Sequence, residues 1–136
     1  MKSRQDALRE GKMKIQIVGD DDGVHSLLAK QLEQRGCDVR QLSSGDEAFY
    51  VWQQLGPWEF VLTDYRFMPG VKIKDGIHLL TAIHEINPHQ RMAIMTADPK
   101  EAREKLPKAL WHLPVLLKPF TVEQLLRVLR EPVLPL

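Results

Sequence analysis

The 136-residue chain carries 19 Lys and Arg against 18 Asp and Glu, a formal net charge of +1, and a single cysteine. Such a length holds one domain with a real core and not two. The balanced charge excludes a strong basic field for nucleic-acid phosphates, and the lone Cys37 excludes an internal disulfide and reads as a small packed apolar residue. Residues 1–12 are a polar extension without the apolar core of a secretory leader, and no apolar run reaches membrane-span length. The expected setting is cytoplasmic, with no membrane and no direct nucleic-acid partner. Residues 13–18 (Met-Lys-Ile-Gln-Ile-Val) read as a buried strand. Val24, Leu27, Leu28 and Leu32 fall at helical spacing, and Gly36 stops that helix. Residues 37–41 suggest a second strand. Ala48, Val51, Trp52 and Leu55 form a second helical stripe, ended by Gly56-Pro57. Residues 59–63 read as a third strand, Ile77, Leu80 and Ile83 as a third helix stopped before Pro88, and residues 92–96 as a fourth strand. A weaker helix over 99–110 is interrupted by Pro107. Residues 115–117 are a short fifth strand, and Val122, Leu125, Leu126 and Leu129 mark the last helix, closed by Pro132.

Strand and helix alternate five times. That pattern predicts an α/β fold: a doubly wound, five-stranded parallel sheet in a three-layer sandwich. Polar residues stand just past the C-terminal ends of the strands: Asp20, Asp21 and Asp22 after the first, Asp64 after the third, Thr96 on the fourth, Lys118 after the fifth. Open parallel sheets bind ligands at that edge, where strand order reverses. The flavodoxin-like order 2-1-3-4-5 puts the reversal between strands 1 and 3, so Asp20 and Asp64 flank it. Neighbouring strands lie about 4.8 Å apart, which brings the two carboxylates to roughly 5 Å. They then repel by about 3 kcal/mol at an effective dielectric near 20, which favours proton uptake or a bound cation. Hard oxygen ligands suit Mg²⁺. Thr96 is one strand from Asp64. Lys118 is two strands away, about 10 Å, a gap that only a long stem spans. A carboxylate, a divalent cation, a hydroxyl and an ammonium together can accept a phosphoryl group by positioning and charge neutralisation.

Val18 to Asp21, Thr63-Asp64-Tyr65-Arg66 with Met68-Pro69-Gly70, Thr96-Ala97 and Lys118-Pro119-Phe120 resemble the receiver domain of two-component response regulators. The resemblance frames residues 13–131 as the domain and 132–136 as a short tail. It implies that Asp64 accepts a phosphoryl group from a histidine kinase or a histidine phosphotransfer protein, with Mg²⁺ as cofactor. Asp20, Asp64 and the main-chain carbonyl of Arg66 would hold the metal, with Asp21 as a further candidate. Thr96, Ala97 and Lys118 would bind the phosphoryl group, Thr96 and Val115 would form the switch, and the Lys118-Pro119 bond would be cis. A signalling module rather than an enzyme is implied, acting alone because no output domain follows. The downstream partner is not specified, and a homodimer through the fourth helix, fifth strand and fifth helix stays open.

Several residues depart from the family pattern. Gly19 stands where the first of two paired acids is usual, leaving Asp20 as the pocket acid in register; weaker Mg²⁺ binding is expected, and Asp22 reads as a helix cap. Phe67 and the stretch Val71 to Lys74 lengthen the loop after Asp64, which either displaces the Arg66 carbonyl or brings Lys72 and Lys74 to the phosphate. Val115 replaces the usual aromatic switch, so output would run through the Pro107 and Trp111 region. An Arg66–Asp98 ion pair is expected across the mouth of the site. The five histidines show no metal-ligand pattern, His25 is expected to be exposed and inert, and Trp52, Trp58 and Trp111 to pack in the core or at its edge. Two alternatives stand beside the main reading. One is a degenerate receiver that binds partners without phosphorylation. The other is a haloacid-dehalogenase-type phosphohydrolase using Asp20 as nucleophile, suggested by Asp20-Asp21-Asp22-Gly23-Val24. A flavin carrier is rejected, because three consecutive aspartates repel phosphate.

Overall fold

The structure is a computed structural model and describes residues 13–20 and 22–130. Residues 1–12, Asp21 and residues 131–136, which include the expected extension and tail, lie outside the described residues. The elements run β1 (Lys14–Val18), α1 (Asp22–Glu33), β2 (Asp38–Leu42), α2 (Gly45–Leu55), β3 (Phe60–Asp64), α3 (Gly76–Ile86), β4 (Met92–Thr96), α4 (Pro99–Lys105), a 3₁₀ turn (Lys108–Leu110), β5 (Val115–Leu117) and α5 (Val122–Arg130). The sheet is parallel throughout in the order β2-β1-β3-β4-β5. That is the expected flavodoxin-like arrangement, with the reversal between β1 and β3. No helix among the described residues is long and apolar enough to cross a membrane.

Side chains alternate across a strand, and here they divide the core in two. Ile15, Ile17, Phe60, Leu62, Ala93 and Met95 pack with α1 and α5; Val18, Val61, Met92 and Ile94 pack with α2, α3 and α4. Central β3 is buried at every position, as a strand covered on both faces must be. Asp64 has the parity of Phe60 and Leu62, so the chain's own alternation turns it toward the α1 side.

The helices start where side chains satisfy their open amides. Ser44 Oγ accepts from the Glu47 N–H at 3.1 Å, and Asp75 Oδ1 accepts from the His78 N–H at 2.8 Å. Thr121 and Gln124 form a reciprocal capping box ahead of α5. All four apolar positions expected for α5 are buried. The expected helix over 99–110 splits in two: α4 ends at Lys105, Pro107 denies the ladder an N–H, and a 3₁₀ turn follows.

In α1 the expected inner face holds for Leu28 and Leu32 and fails for Val24 and Leu27. Val24 and Leu27 are 54% and 59% exposed, whereas His25, Leu28, Ala29 and Leu32 are buried. These four residues also follow helical spacing, i, i+3, i+4 and i+7, with histidine as the first member. Trp52 and Trp58 are buried as expected, but Trp111 is exposed, its indole N–H donating to the Leu106 carbonyl at 3.0 Å. Leu55, expected in the α2 stripe, is exposed too.

Cys37 is buried, and burial pushes its thiol up to about 11. The reactive thiolate is therefore scarce at neutral pH. A disulfide reagent such as Ellman's is expected to label the native chain far more slowly than the urea-unfolded chain. Equal rates would contradict the packed position of Cys37.

Candidate functional site

Register places the site. Val18 pairs with Thr63, so one residue further Gly19 lies beside Asp64 at the sheet's C-terminal edge. Asp64 itself pairs with Met95, and Thr96 with Leu117, which sets Lys118 just beyond. Asp64 is only 4% exposed. A carboxylate so far from water needs compensating charge or donors. Lys118 Nζ sits 2.5 Å from Asp64 Oδ1, its long stem crossing the two-strand gap. The Lys118-Pro119 bond is cis, as is Gly56-Pro57.

The other carboxylate oxygen meets a residue that was expected to be inert. His25 is 3% exposed and its Nε2 lies 3.4 Å from Asp64 Oδ2. Neither Nε2 of His25 nor Oδ1 of Asp64 finds a well-directed hydrogen-bond partner among the described residues. The contacts are ionic and steric in character rather than aligned hydrogen bonds. Gly19 makes this packing feasible. A Cβ at position 19 would overlap both the Asp64 carboxylate and the His25 ring, and the backbone there is at φ +157°. Where an acid would stand in the family pattern, this chain has open space filled by an imidazole.

Asp20 is exposed at the rim, its Oδ2 accepting a long 3.3 Å bond from the Met68 N–H. No three His, Cys, Asp or Glu side chains among the described residues stand close enough to share one metal ion. The convergence of acids expected from the sequence is therefore incomplete as the described residues stand; Asp21 lies outside them, and α1 begins at Asp22, as expected for the start of that helix. The donor set on the buried oxygens is one carboxylate and one imidazole nitrogen, with Asp20 as a reserve carboxylate. Asp64 and Asp20 offer carboxylate oxygens of the kind a hard divalent cation takes, but no three side chains able to share one ion are gathered among the described residues.

Thr96 is half-buried, and its Oγ1 accepts from the Asp98 N–H at 3.1 Å. Ala97 follows it, exposed. Val115 is half-buried and packs against the α2–α3–α4 core, paired in register with Ile94.

At the mouth, Arg66 pairs with Glu101 rather than with Asp98. Asp98 instead caps α4, accepting from the Glu101 N–H at 3.1 Å. Both carboxylates lie near; the cap fixes Asp98 in place, and Glu101, one turn on, is the one free to reach out. The Glu101 carboxylate holds the Arg66 guanidinium more firmly protonated than usual.

Lys74 of the lengthened loop turns back on the loop itself rather than to the site. Lys74 Nζ donates to the Gly70 and Val71 carbonyls at 2.8 and 3.2 Å. The Asp46 carboxylate, in the first turn of α2, accepts from the N–H groups of Ile73, Val71 and Lys72. Phe67 and Ile73 are buried beside Gly45. The loop is thus gripped by a residue 25 positions upstream of Val71, which no local pattern announces.

The Ile73 amide, then those of Val71 and Lys72, and the Lys74 charge hold the Asp46 carboxyl below its ordinary value of 3.8, against an opposing effect of burial. A lowered folded-state value means that this anchoring is present above the unfolded value and is lost as pH falls through the folded one. Amide exchange at Val71, Lys72 and Ile73 is expected to be protected at neutral pH and to lose protection in Asp46→Ala. A variant that exchanges like the parent would show that the carboxylate does not hold the loop.

Comparison with known proteins bears on the fold and the family. The family profile described as "Response regulator receiver domain" matches residues 15–130. Among curated proteins, the sensor kinase CckA of Brucella abortus (strain 2308) is 26% identical over 121 residues, which is 89% of this chain. The chain spans about 12% of that relative's length. Among solved structures, the non-phosphorylated HemR receiver domain from Leptospira biflexa superposes with a TM-score of 0.75 at 24% identity, covering 92% of this chain and 100% of that one. The response regulator protein TrrA from Thermotoga maritima, in complex with Mg²⁺-BeF, gives 0.70 at 21% identity, covering 85% and 94%. These likenesses show the fold, and the profile match over most of the length adds the family. With its strand order, a buried aspartate at the C-terminal edge of the sheet and that match, the chain belongs to the response regulator receiver domains of two-component signalling.

Proposed function

We propose that the chain accepts a phosphoryl group on Asp64 from a phosphohistidine of a histidine kinase or histidine phosphotransfer protein. The observation that carries this is a buried Asp64 carboxylate with Lys118 Nζ 2.5 Å from one of its oxygens. A carboxylate oxygen attacks phosphorus, the phosphorus–nitrogen bond of the donor breaks, and the donor imidazole leaves with its electron pair and takes up a proton. Lys118 neutralises charge on the acceptor. Thr96 and the Ala97 backbone are placed one strand over, on the side from which the transferred group would be bound.

Asp64, Asp20 and the Arg66 carbonyl are the oxygen donors that would hold a divalent cation. When bound, the ion offsets negative charge between acceptor and phosphoryl group. Asp20 is a poorer nucleophile candidate than Asp64, because it is exposed and its carboxylate is engaged by the Met68 amide.

Val24 and Leu27, exposed on α1, line a cleft with Leu28, Met95, Lys118 and Phe120. A donor helix resting there would lie beside Lys118, which makes this the docking side for the phosphohistidine partner. Output would pass from Thr96 to a partner protein, in a cytoplasmic setting.

Incubation with acetyl phosphate and a divalent cation, followed by intact-mass measurement and site mapping, tests the reading. One labile phosphoryl adduct is expected on Asp64, absent from Asp64→Asn and retained in Asp20→Asn. No adduct under any cation would instead favour a partner-binding receiver that works without phosphorylation. An adduct that follows Asp20 would favour the phosphohydrolase reading.

A further inference from the structure

We infer that His25 is a latch on the acceptor carboxylate: its ring closes the Oδ2 side of Asp64, and Mg²⁺ reaches that oxygen only after the first turn of α1 unwinds and carries the ring away. The inference deepens the acceptor reading and rests on it for the role of Asp64.

Both carboxylate oxygens are faced by a side chain. Lys118 Nζ lies 2.5 Å from Oδ1, and His25 Nε2 lies 3.4 Å from Oδ2. Asp64 is 4% exposed and His25 3%. The neighbouring cleft is lined by Val24, Leu27, Leu28 and Phe120 among others, and neither His25 nor Asp64 borders it. Mg²⁺ binds oxygen at about 2.1 Å and keeps several waters, a shell that cannot share the space beside Oδ2 with the ring. Gly19 admits the ring there, because a Cβ at that position would overlap both the imidazole and the carboxylate.

The contact is also placed where it can release. It is long for a hydrogen bond, and Nε2 finds no well-directed partner among the described residues. His25 lies in the first turn of α1, the part of a helix that frays most readily. Gly23 stands in the same turn, and glycine weakens a helix. Val24 beside it is 54% exposed, whereas Leu28, Ala29 and Leu32 are buried and seat the remainder of α1. The first turn therefore opens without unseating the helix.

The test uses the full chain with Mg²⁺ and needs no phosphoryl donor. Diethyl pyrocarbonate modification, mapped by peptide mass, reads the exposure of His25, and calorimetry reads Mg²⁺ affinity. His25 is expected to be protected without Mg²⁺ and to react about 10-fold faster with it. Removing the latch in His25→Ala should raise Mg²⁺ affinity by about 10-fold or more, since a minor open state no longer limits binding. His25→Ser should do the same and serves if the alanine variant does not fold. Gly23→Ala, whose new methyl meets open space, stiffens the turn and should lower Mg²⁺ affinity by about 2- to 5-fold. A His25 that stays protected at saturating Mg²⁺, Mg²⁺ affinity that does not rise in the His25 variants, or affinity that ignores Gly23→Ala would each overturn the inference. Acetyl phosphate labelling then separates the two readings. A chain that labels on Asp64 while His25 stays protected fails the latch alone. A chain whose His25 is released by Mg²⁺ but which never labels, even as His25→Ala, fails the acceptor reading alone.

Discussion

Gly76→Ala is expected to destabilise the fold by about 3 kcal/mol, at the upper end of the usual range for overpacking. Gly76 opens α3 where the chain returns against the tip of β3, and its N–H donates to the Tyr65 carbonyl at 2.7 Å. A Cβ there would overlap the main-chain carbonyl oxygen of Asp64 and lie 3.1 Å from that of Tyr65. The obstacle is backbone, so no rotamer change relieves it. Either α3 backs away, loosening Leu79 and Leu80 from the core, or the β3 tip shifts and carries Asp64 with it. Urea unfolding should show a lowered midpoint with an unchanged slope, and thermal unfolding a fall of roughly 10 °C. A loss under about 1 kcal/mol would mean that α3 seats less tightly than described. Labelling of Asp64 by acetyl phosphate should fall in parallel if the strand tip yields.

Gly19→Asp returns to the position the acid that the family pattern would place there, and it is expected to harm the site. The new Cβ overlaps the Asp64 carboxylate and the His25 ring, and the backbone is at φ +157°. Overpacking of this kind costs about 1–3 kcal/mol. A second carboxylate within roughly 5 Å of Asp64 adds repulsion of about 3 kcal/mol at an effective dielectric near 20, unless a cation or proton intervenes. The diagnostic experiment is a double-mutant cycle with His25→Ala. Removing the ring returns the space that the new side chain needs, so the double variant should be more stable than the sum of the single effects by over about 0.5 kcal/mol. Strict additivity would show that Gly19 and His25 are independent. With the ring gone, Mg²⁺ affinity of the double variant should exceed that of Gly19→Asp alone.

These two glycines act on different sides of one carboxylate. Gly76 sets how closely α3 approaches the backbone that carries Asp64, and Gly19 sets what approaches its side chain. Stability and labelling measured together therefore separate damage to the scaffold from damage to the chemistry. Gly76→Ala should lower both, whereas a core-neutral change such as Asp46→Ala should disturb the loop over 71–73 with little effect on global unfolding.

The alternation of β-branched strands and amphipathic helices was legible along the chain because each element writes its own period locally. The parallel sheet, and the gathering of Asp64, Thr96 and Lys118 at its C-terminal edge, follow from that alternation and the handed crossovers it demands, whereas the order 2-1-3-4-5 was taken from the flavodoxin-like fold class. Lys118 meeting Asp64 was foreseeable because strand spacing and stem length are fixed quantities. The roll of α1 was not legible: Val24 and Leu27 are more apolar than His25, so hydropathy alone gave them the inner face. Tertiary packing decided otherwise, since only Gly19 on the neighbouring strand tip reveals that a ring fits there. Likewise, the grip of Asp46 on the loop after Asp64 and the choice of Glu101 over Asp98 by Arg66 join residues 25 to 35 positions apart. Such pairings depend on where two elements come to rest in space, and short-range pattern carries no record of that.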